Sequence, residues 1–579
     1  MTLVKTEEFI KAAKLKYLGG KYTAILILKL MKLDKINEIY TRHCHAGAKD
    51  FLDAMIDEFQ IKFDVSPEEL ERIPQKGAFI TVSNHPYGGI DGIFLFKYLA
   101  FRRPDYKTLS TFLIRRLQPL ADYMFPINPF GARKGSISGI KLALAHLRDG
   151  HPLGIFPAGE VSSYNKDYPG ICDKEWPLSV LKMIKNARVP VVPVYFEGSN
   201  SKVFHMLGRI HPMLRTVKIP SELLNKAGRV IRVRIGNPIS VEQQKAFPDL
   251  QEYGDYLRAM TYGLGTASET SAIEKTGEKQ KTAAEISEPA PLSLINNEIE
   301  SLRSNNCRLF ENQRFEIFCA PGSQLKIIMS ELGRLREITF RQVGEGTSLA
   351  SDTDDFDSYF HQLFIWDKNK EQIAGAYRLG IGGDIIREKG IQGLYTQSLF
   401  KIQKQLIPVL EQSIELGRSF VVDEYQRESQ VLFLLWKGIY LFLKKNPDIR
   451  YLQGTVTISN KYSNYSKHLM LQYLKRNYFD NQLSRFVESR TPFSFDPPGF
   501  KEELVLEQVT DLQALSRLIC SLDPLHAPIP VLIRKYLMLG GKFIGFNVDP
   551  EFNYCLDGFI VVDCKKIPER IMAGMEKDC

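Results

Sequence analysis

The sequence predicts an α/β fold in two domains. Three observations carry that expectation. The chain has 579 residues, more than one hydrophobic core serves. From about 76 to 240, short apolar runs alternate with helical patterns, the signature of a largely parallel sheet. At 266–291 the composition shifts to Glu, Lys, Thr, Ser and Ala without a single aromatic, too polar to order itself. The chain therefore divides into a helical, membrane-facing segment at 1–75, an α/β domain at 76–262, a flexible linker at 263–295 and a mixed α/β domain at 296–579.

Residues 1 to about 65 read as helices. The run Thr23–Leu33 is apolar with Lys21, Lys29 and Lys32 around it, a pattern that suits either the headgroup boundary of an anionic membrane or packing on the protein itself with lysines outward. Strands are expected at Ala78–Val82, Leu109–Ile114, Pro152–Phe156, Val189–Phe196 and Val230–Ile235, with helices at Ser136–Arg148 and Pro177–Lys185. Beyond the linker, a strand at Arg314–Ala320 precedes an amphipathic helix at Ser323–Arg341 and a hairpin of Phe360–Trp366 with Ile373–Leu379. A helix at Leu399–Leu416, a strand at Ser419–Tyr425, a helix at Gln430–Lys445 and a strand at Leu452–Ser459 follow.

Composition narrows the class. A 44% hydrophobic, 25% charged chain is ordinary for a globular protein, and every apolar stretch is broken by lysine before the roughly 20 residues a bilayer crossing needs. Lys5, Glu7, Glu8, Lys11 and Lys14 interrupt any signal-peptide pattern, so the expected location is cytoplasmic, peripheral on the inner face of the cytoplasmic membrane. Eight cysteines without a C-x-x-C pair argue against a zinc ribbon or a disulfide framework, and no metal is expected. A net charge of +9 favours anionic partners, a membrane surface or an acidic carrier protein. The basic residues are spread and carry no recognition motif, so nucleic acid is not among them.

The chemistry centres on Ser83-Asn84-His85-Pro86-Tyr87-Gly88-Gly89-Ile90-Asp91. A histidine held by a carboxylate takes a proton from a hydroxyl at neutral pH, and Gly88 and Gly89 let the chain turn so that Asp91 reaches His85. Taken alone, the same residues also suit a loop with a capping aspartate. Two further loops accompany it: Phe156-Pro157-Ala158-Gly159-Glu160-Val161-Ser162 after a strand, and Asn128–Gly135, whose Arg133 and Lys134 suit an anionic group.

Asn84-His85 with Asp91, the Phe156–Glu160 block and Val189-Pro-Val-Val-Pro193 resemble the glycerolipid acyltransferases of the lysophosphatidate-acyltransferase type. That resemblance implies His85 as general base, Asp91 as its orienting partner, and Asn84, Gly88, Gly89, Arg133, Phe156, Pro157, Gly159 and Glu160 around the substrates. Two departures stand out. Five residues separate His85 from Asp91 where the family has four, and the arginine of the family's Phe-Pro-Glu-Gly-Thr-Arg-Ser block is Val161, which points to an acceptor without a phosphate. In both respects the chain looks like the haemolysin-like branch that O-acylates aminolipids.

The second half resembles the GNAT-like amino-acid N-acyltransferases through Arg336 with Phe340 and Arg341, Trp366-Asp367, Gly375-Ala-Tyr-Arg378, Glu415-Leu-Gly-Arg418, Ile458-Ser-Asn460 and Asn547-Val-Asp549. Glu415 is then expected to serve the amine proton and Arg336, Arg378 or Arg418 the substrate, while buried salt bridges would account for the same residues. Together the resemblances imply a bifunctional ornithine-lipid (aminolipid) synthase. It would N-acylate an amino acid with a 3-hydroxy-fatty acyl group, then O-acylate that hydroxyl on the lyso-aminolipid. The acyl groups would come from acyl carrier protein or coenzyme A as co-substrate, with no bound cofactor. The alternatives are a lysophosphatidate or lysophospholipid acyltransferase and a non-catalytic, membrane-binding haemolysin-like protein. For a charged amino acid, Asp352, Asp354, Asp355 and Asp357 are candidates to receive the side-chain ammonium.

Overall fold

The computed structural model describes residues 32–111, 117–127, 133–164, 170–210, 212–266, 283–495 and 501–576. The chain forms two compact units, Met1–Ser268 with Asp496–Asp511, and Glu269–Phe495 with Leu512–Cys579.

The first unit is built on a seven-stranded sheet. Its strands are β1 (Lys62–Asp64), β2 (Ile80–Ser83), β3 (Lys107–Thr111), β4 (Met124–Ile127), β5 (Leu153–Ile155), β6 (Val191–Phe196) and β7 (Val230–Ile235), in the order β1-β7-β6-β2-β5-β3-β4. All neighbours run parallel except β6 and β7. Ile-Thr-Val-Ser of β2 is buried at every position, as a central parallel strand covered on both faces must be. β1 and β4 were not expected. They are short, and β1 pairs with a strand far along the chain, so local pattern carries little of either.

Where it is described, the segment expected to face a membrane packs one side on the α/β unit. Helices Leu33–His43 and Ala48–Phe59 insert Ile39, Phe51, Leu52 and Phe59, each at most 2% exposed, into the same core as Phe79, Phe94 and Val194. Burial of that extent is worth about 1.5–3 kcal/mol per large apolar side chain, and it makes these helices part of the α/β unit. The run Thr23–Met31 lies outside the described residues. Among the described residues no helix is long and apolar enough to cross a membrane.

Part of the expected linker, 267–282, also lies outside the described residues. Its flanks are structured: Gly263 ends helix Leu250–Gly263, residues 284–290 hydrogen-bond to Ser348, Ala350 and Glu331, and Leu292–Ser304 is a helix. The expected second domain, 296–579, is interrupted as well. Helix Glu502–Glu507 buries Val505 and Leu506 in the first unit, and Lys501 Nζ lies 2.8 Å from Asp255 Oδ2.

The second unit carries an eight-stranded sheet: β8 (Arg308–Glu311), β9 (Phe315–Pro321), β10 (His361–Asp367), β11 (Gln372–Ile381), β12 (Ser413–Val421), β13 (Tyr451–Ile458), β14 (Lys542–Asp549) and β15 (Cys555–Asp563), ordered β8-β9-β10-β11-β12-β13-β15-β14. Only β12 and β13 are parallel, and their pairing stops at Leu416–Gly454 although both strands run on. The expected helix at Leu399–Leu416 is instead strand Phe400–Ile402, a short helix Ile407–Glu411 and the start of β12. Pro408 sits where a continuous helix would need its N–H, so helical structure is confined to one turn beginning there.

Candidate functional site

In the first unit β2 and β5 are parallel neighbours, with Ile80 opposite Leu153 and Val82 opposite Ile155. Their carboxyl ends release two loops side by side, Asn84–Gly89 and Phe156–Ser162, at the edge where open α/β sheets place ligands. The Asn84 side chain fixes the first loop. Its amide donates to the Phe196 carbonyl (2.9 Å) and accepts from the Phe196 N–H (2.7 Å), a paired contact to β6.

His85 Nδ1 then lies 2.8 Å from Asp91 Oδ2. The same oxygen accepts the N–H groups of Tyr87 (3.1 Å) and Gly88 (2.9 Å), which pins the fully buried Asp91 at the start of helix Ile90–Phe94. Those amides belong to the stretch containing the additional residue, so the loop closes on the carboxylate despite the longer spacing. Gly88 permits it with φ of +87°. With Nδ1 facing a carboxylate, Nε2 is the nitrogen left to accept a proton.

Phe156 stacks on the His85 ring, centroids 4.0 Å apart. The Phe156–Ser162 loop is bolted to the dyad at its other end, where Ser162 N–H donates to the His85 carbonyl (2.9 Å). Pro157 is buried; Gly159, at φ +69°, faces open space. Val161 is 6% exposed and turns inward, so close to Gly88 that a Cβ there would meet its Cγ2 at 2.9 Å. Gly89 packs against Leu223. Glu160 pairs with Lys174 Nζ (2.5 Å) and with Arg215. The Arg133 side chain lies outside the described residues, although its backbone begins helix Arg133–Arg148.

Asp173 is a member of this site that sequence reasoning missed. Wholly buried, it accepts the His85 N–H (3.2 Å) and the Ser162 hydroxyl (2.5 Å), and Trp176 Nε1 approaches its other oxygen at 3.4 Å. Burial pushes its carboxyl above the ordinary range. It follows a two-residue strand and carries no motif, so only the fold reveals that it holds both loops.

In the second unit, register-paired residues share a sheet face. Gln362 lies opposite Arg378, Glu415 opposite Gln453, and Asp557 opposite both Thr457 and Asn547. A polar band thus crosses one face from β10 to β14. Arg336 (0% exposed) donates to Asp357 (2.8 Å) and Gln362 (2.7 Å), and Arg378 to Asp354 (2.5 Å) and Asp357 (3.3 Å). Arg418, at φ +49° in a bulge of β12, lies 3.1 Å from Asp352 and 3.2 Å from Asp354. Burial works against the Asp357 charge, yet the Arg336 and Arg378 guanidiniums hold its carboxyl down at about 2.

The three arginines and Glu415 singled out in sequence are therefore together, each engaged by the chain. Both Glu415 oxygens accept backbone amides at the start of helix Thr396–Leu399, Tyr395 N–H at 2.9 Å and Thr396 N–H at 2.7 Å. Glu415 stands in a strand, and its carboxylate is occupied as a helix cap. Of the four aspartates considered for a side-chain ammonium, Asp352, Asp354 and Asp357 hold arginines and Asp355 is exposed. Among the described residues no group of three His, Cys, Asp or Glu side chains is arranged to hold a metal ion.

Comparison with known proteins gives each half a counterpart. Residues 11–271 match the profile of a family described as acyltransferase, and 335–437 that of the acetyltransferase (GNAT) domain. A glycine N(alpha)-acyltransferase of Bacteroides thetaiotaomicron is 32% identical over 48% of this chain and 76% of its own length. A lyso-glycine lipid O-acyltransferase of the same organism is 27% identical over 42% of this chain and 90% of its own. The protein of that second name in Phocaeicola vulgatus is 26% identical over 45% and 95%.

Proposed function

Because the chain belongs to the acyltransferases of the glycine N-acyltransferase family, with an O-acyltransferase-type domain in front, we propose that it makes a diacylated glycine lipid in two steps. The second unit joins a 3-hydroxy-fatty acyl group to the amine of glycine. The first unit then esterifies the 3-hydroxyl of that lyso-lipid. The observation that carries this reading is the likeness of one chain to both a glycine N-acyltransferase and a lyso-glycine lipid O-acyltransferase, the product of the first step being a fitting substrate for the second.

In the O-acylation, His85 Nε2 takes the proton of the lipid hydroxyl while Asp91 steadies the imidazolium. The oxygen attacks the acyl thioester, the C–O bond forms, the C–S bond breaks and the thiolate collects a proton. The inward Val161, standing where a phosphate-binding arginine would be expected, favours an acceptor without a phosphate. Glycine, rather than ornithine or lysine, is favoured by the likeness to relatives named for glycine, and Asp352, Asp354 and Asp357 already hold arginines. In the N-acylation, the facing edges of β12 and β13, which no longer pair with each other beyond Leu416–Gly454, offer N–H and C=O groups to an amide-bearing thioester arm. The acyl donor is carried by acyl carrier protein, which the basic balance of the chain favours, and the enzyme works at the inner surface of the cytoplasmic membrane.

Expression of the whole chain in a host without aminolipids, followed by lipid mass spectrometry, tests the reading. New mono- and diacylated glycine lipids are expected. A new ornithine lipid in their place would overturn the choice of amino acid, and no new aminolipid at all would overturn the function.

A further inference from the structure

Three arginines of the second unit are matched by three aspartates, but the same polar band holds two carboxylates beyond them. Asp549 on β14 and Asp557 on β15 are 3% and 4% exposed, and among the described residues neither makes an ion pair. Asp557 accepts the Thr457 hydroxyl (2.7 Å). Asp549 accepts Glu551 N–H (2.9 Å) and the Tyr395 hydroxyl (3.3 Å). Buried carboxylates without cations are costly unless a cation arrives.

Their position is as telling as their charge. Arg418 lies on β12 and Thr457 on β13, both past the point where those strands cease to pair, and Asp557 is the register partner of Thr457. The acids therefore stand beside the opening in the sheet, with Arg418 close enough to temper them. Tyr395 links the two sides: its hydroxyl reaches Asp549 and its ring lies 5.2 Å from the Arg418 guanidinium carbon.

We propose that Asp557, backed by Asp549, receives the ammonium of the amino-acid acceptor and is the proton acceptor that frees the amine for acyl transfer. This rests on the N-acylation assigned above to the second unit. The acceptor arrives as R–NH3+ and passes one proton to the Asp557 carboxylate. The neutral nitrogen attacks the thioester carbonyl, the N–C bond forms and the C–S bond breaks. The second nitrogen proton goes to the departing thiolate, and Asp557 returns its own to solvent. Glu415, its oxygens held by Tyr395 and Thr396, takes no part in the transfer. Burial and the Asp549 charge bring the Asp557 carboxyl up to about 7, against the pull of Thr457 and Arg418, so it is poised to exchange protons near neutrality. The other groups facing it are Glu345, Tyr395 and Cys555, with Lys467 beyond Cys555.

The experiment uses the purified full chain, glycine and a 3-hydroxypalmitoyl thioester, with both acylations read by mass spectrometry. Wild-type protein should form N-acylglycine; if it acylates no amino acid, the function assigned to this unit falls and the proposal with it. Given that activity, Asp557→Asn should lower kcat at saturating glycine about 10²- to 10⁴-fold. Its thermal midpoint should be unchanged or higher, because the substitution removes a buried charge, and O-acylation of supplied N-acylglycine should be intact. Amide formation within tenfold of wild type would overturn the proposal and leave the N-acylation reading standing. Asp549→Asn supplies the second readout. Activity is lost as pH falls through the Asp557 pKa, and removing the neighbouring charge lets Asp557 ionise at lower pH. The acid limb of kcat/KM should therefore move down in pH, a shift that a purely structural aspartate would not produce. A limb that stays in place would also overturn the proposal.

Discussion

His85 illustrates how far a residue's chemistry can be read before its surroundings are known. The type of side chain, the carboxylate six positions on and the glycines between them pointed to a proton acceptor, and Asp91 Oδ2 lies 2.8 Å from its Nδ1. His85→Ala should lower O-acylation about 10²- to 10⁴-fold and leave N-acylation untouched, so the lyso-lipid accumulates. Chromatography and mass spectrometry of the two products check it; a wild-type ratio of mono- to diacyl lipid would remove His85 from the mechanism. Asp173 was illegible by contrast, because its partners are backbone and hydroxyl groups 88 and 11 residues away. The arginines were visible as charges but not as pairs. Asp357→Asn leaves the fully buried Arg336 without its carboxylate and should cost about 3–5 kcal/mol, measured by denaturant unfolding of the second unit.

At the scale of elements, continuous apolar runs flanked by turns made the central strands of the first unit legible, and the longer helices followed from their periodicity. Where the pattern was ambiguous, the outcome turned on partners distant in sequence. Ile414, Glu415 and Leu416 suit either a helix or a strand by composition, and pairing with Leu452–Gly454 on one side and Leu379–Ile381 on the other makes them a strand. The dyad loop is the element whose geometry most directly limits activity. Gly88→Ala places a Cβ 2.9 Å from Val161 Cγ2 at φ +87°, combining a clash with backbone strain of about 1 kcal/mol or more. O-acylation should fall at least tenfold while N-acylation holds. Adding Val161→Ala should recover only the part due to the clash, because φ is unchanged. Full activity in Gly88→Ala would mean that the loop does not need this turn to present His85.

For the whole molecule, the order of the chain and the division into units are different things. The compositional break near 266–291 announced two bodies, and the chain does divide at Ser268. It also returns: Asp496–Asp511, deep in the second half, belongs to the first unit. No composition shift marks that return, because helix Glu502–Glu507 is a short amphipathic piece among others and its partner, helix Leu250–Gly263, lies far back in the sequence. Val505 is 1% exposed and Leu506 8%, contacts worth about 1.5–3 kcal/mol each, whereas the Lys501–Asp255 pair, with its lysine well exposed, adds about 1 kcal/mol at most. Val505→Asp should therefore weaken the first unit through a substitution that a linear domain map would assign to the second. Heating the variant and assaying both acylations on cooling distinguishes the two maps. O-acylation should be lost at a lower temperature than in wild type, with N-acylation inactivating at its usual one. If the two activities instead decline together, or only N-acylation becomes heat-sensitive, the helix contributes its stability to the second unit and the returning segment is not part of the first.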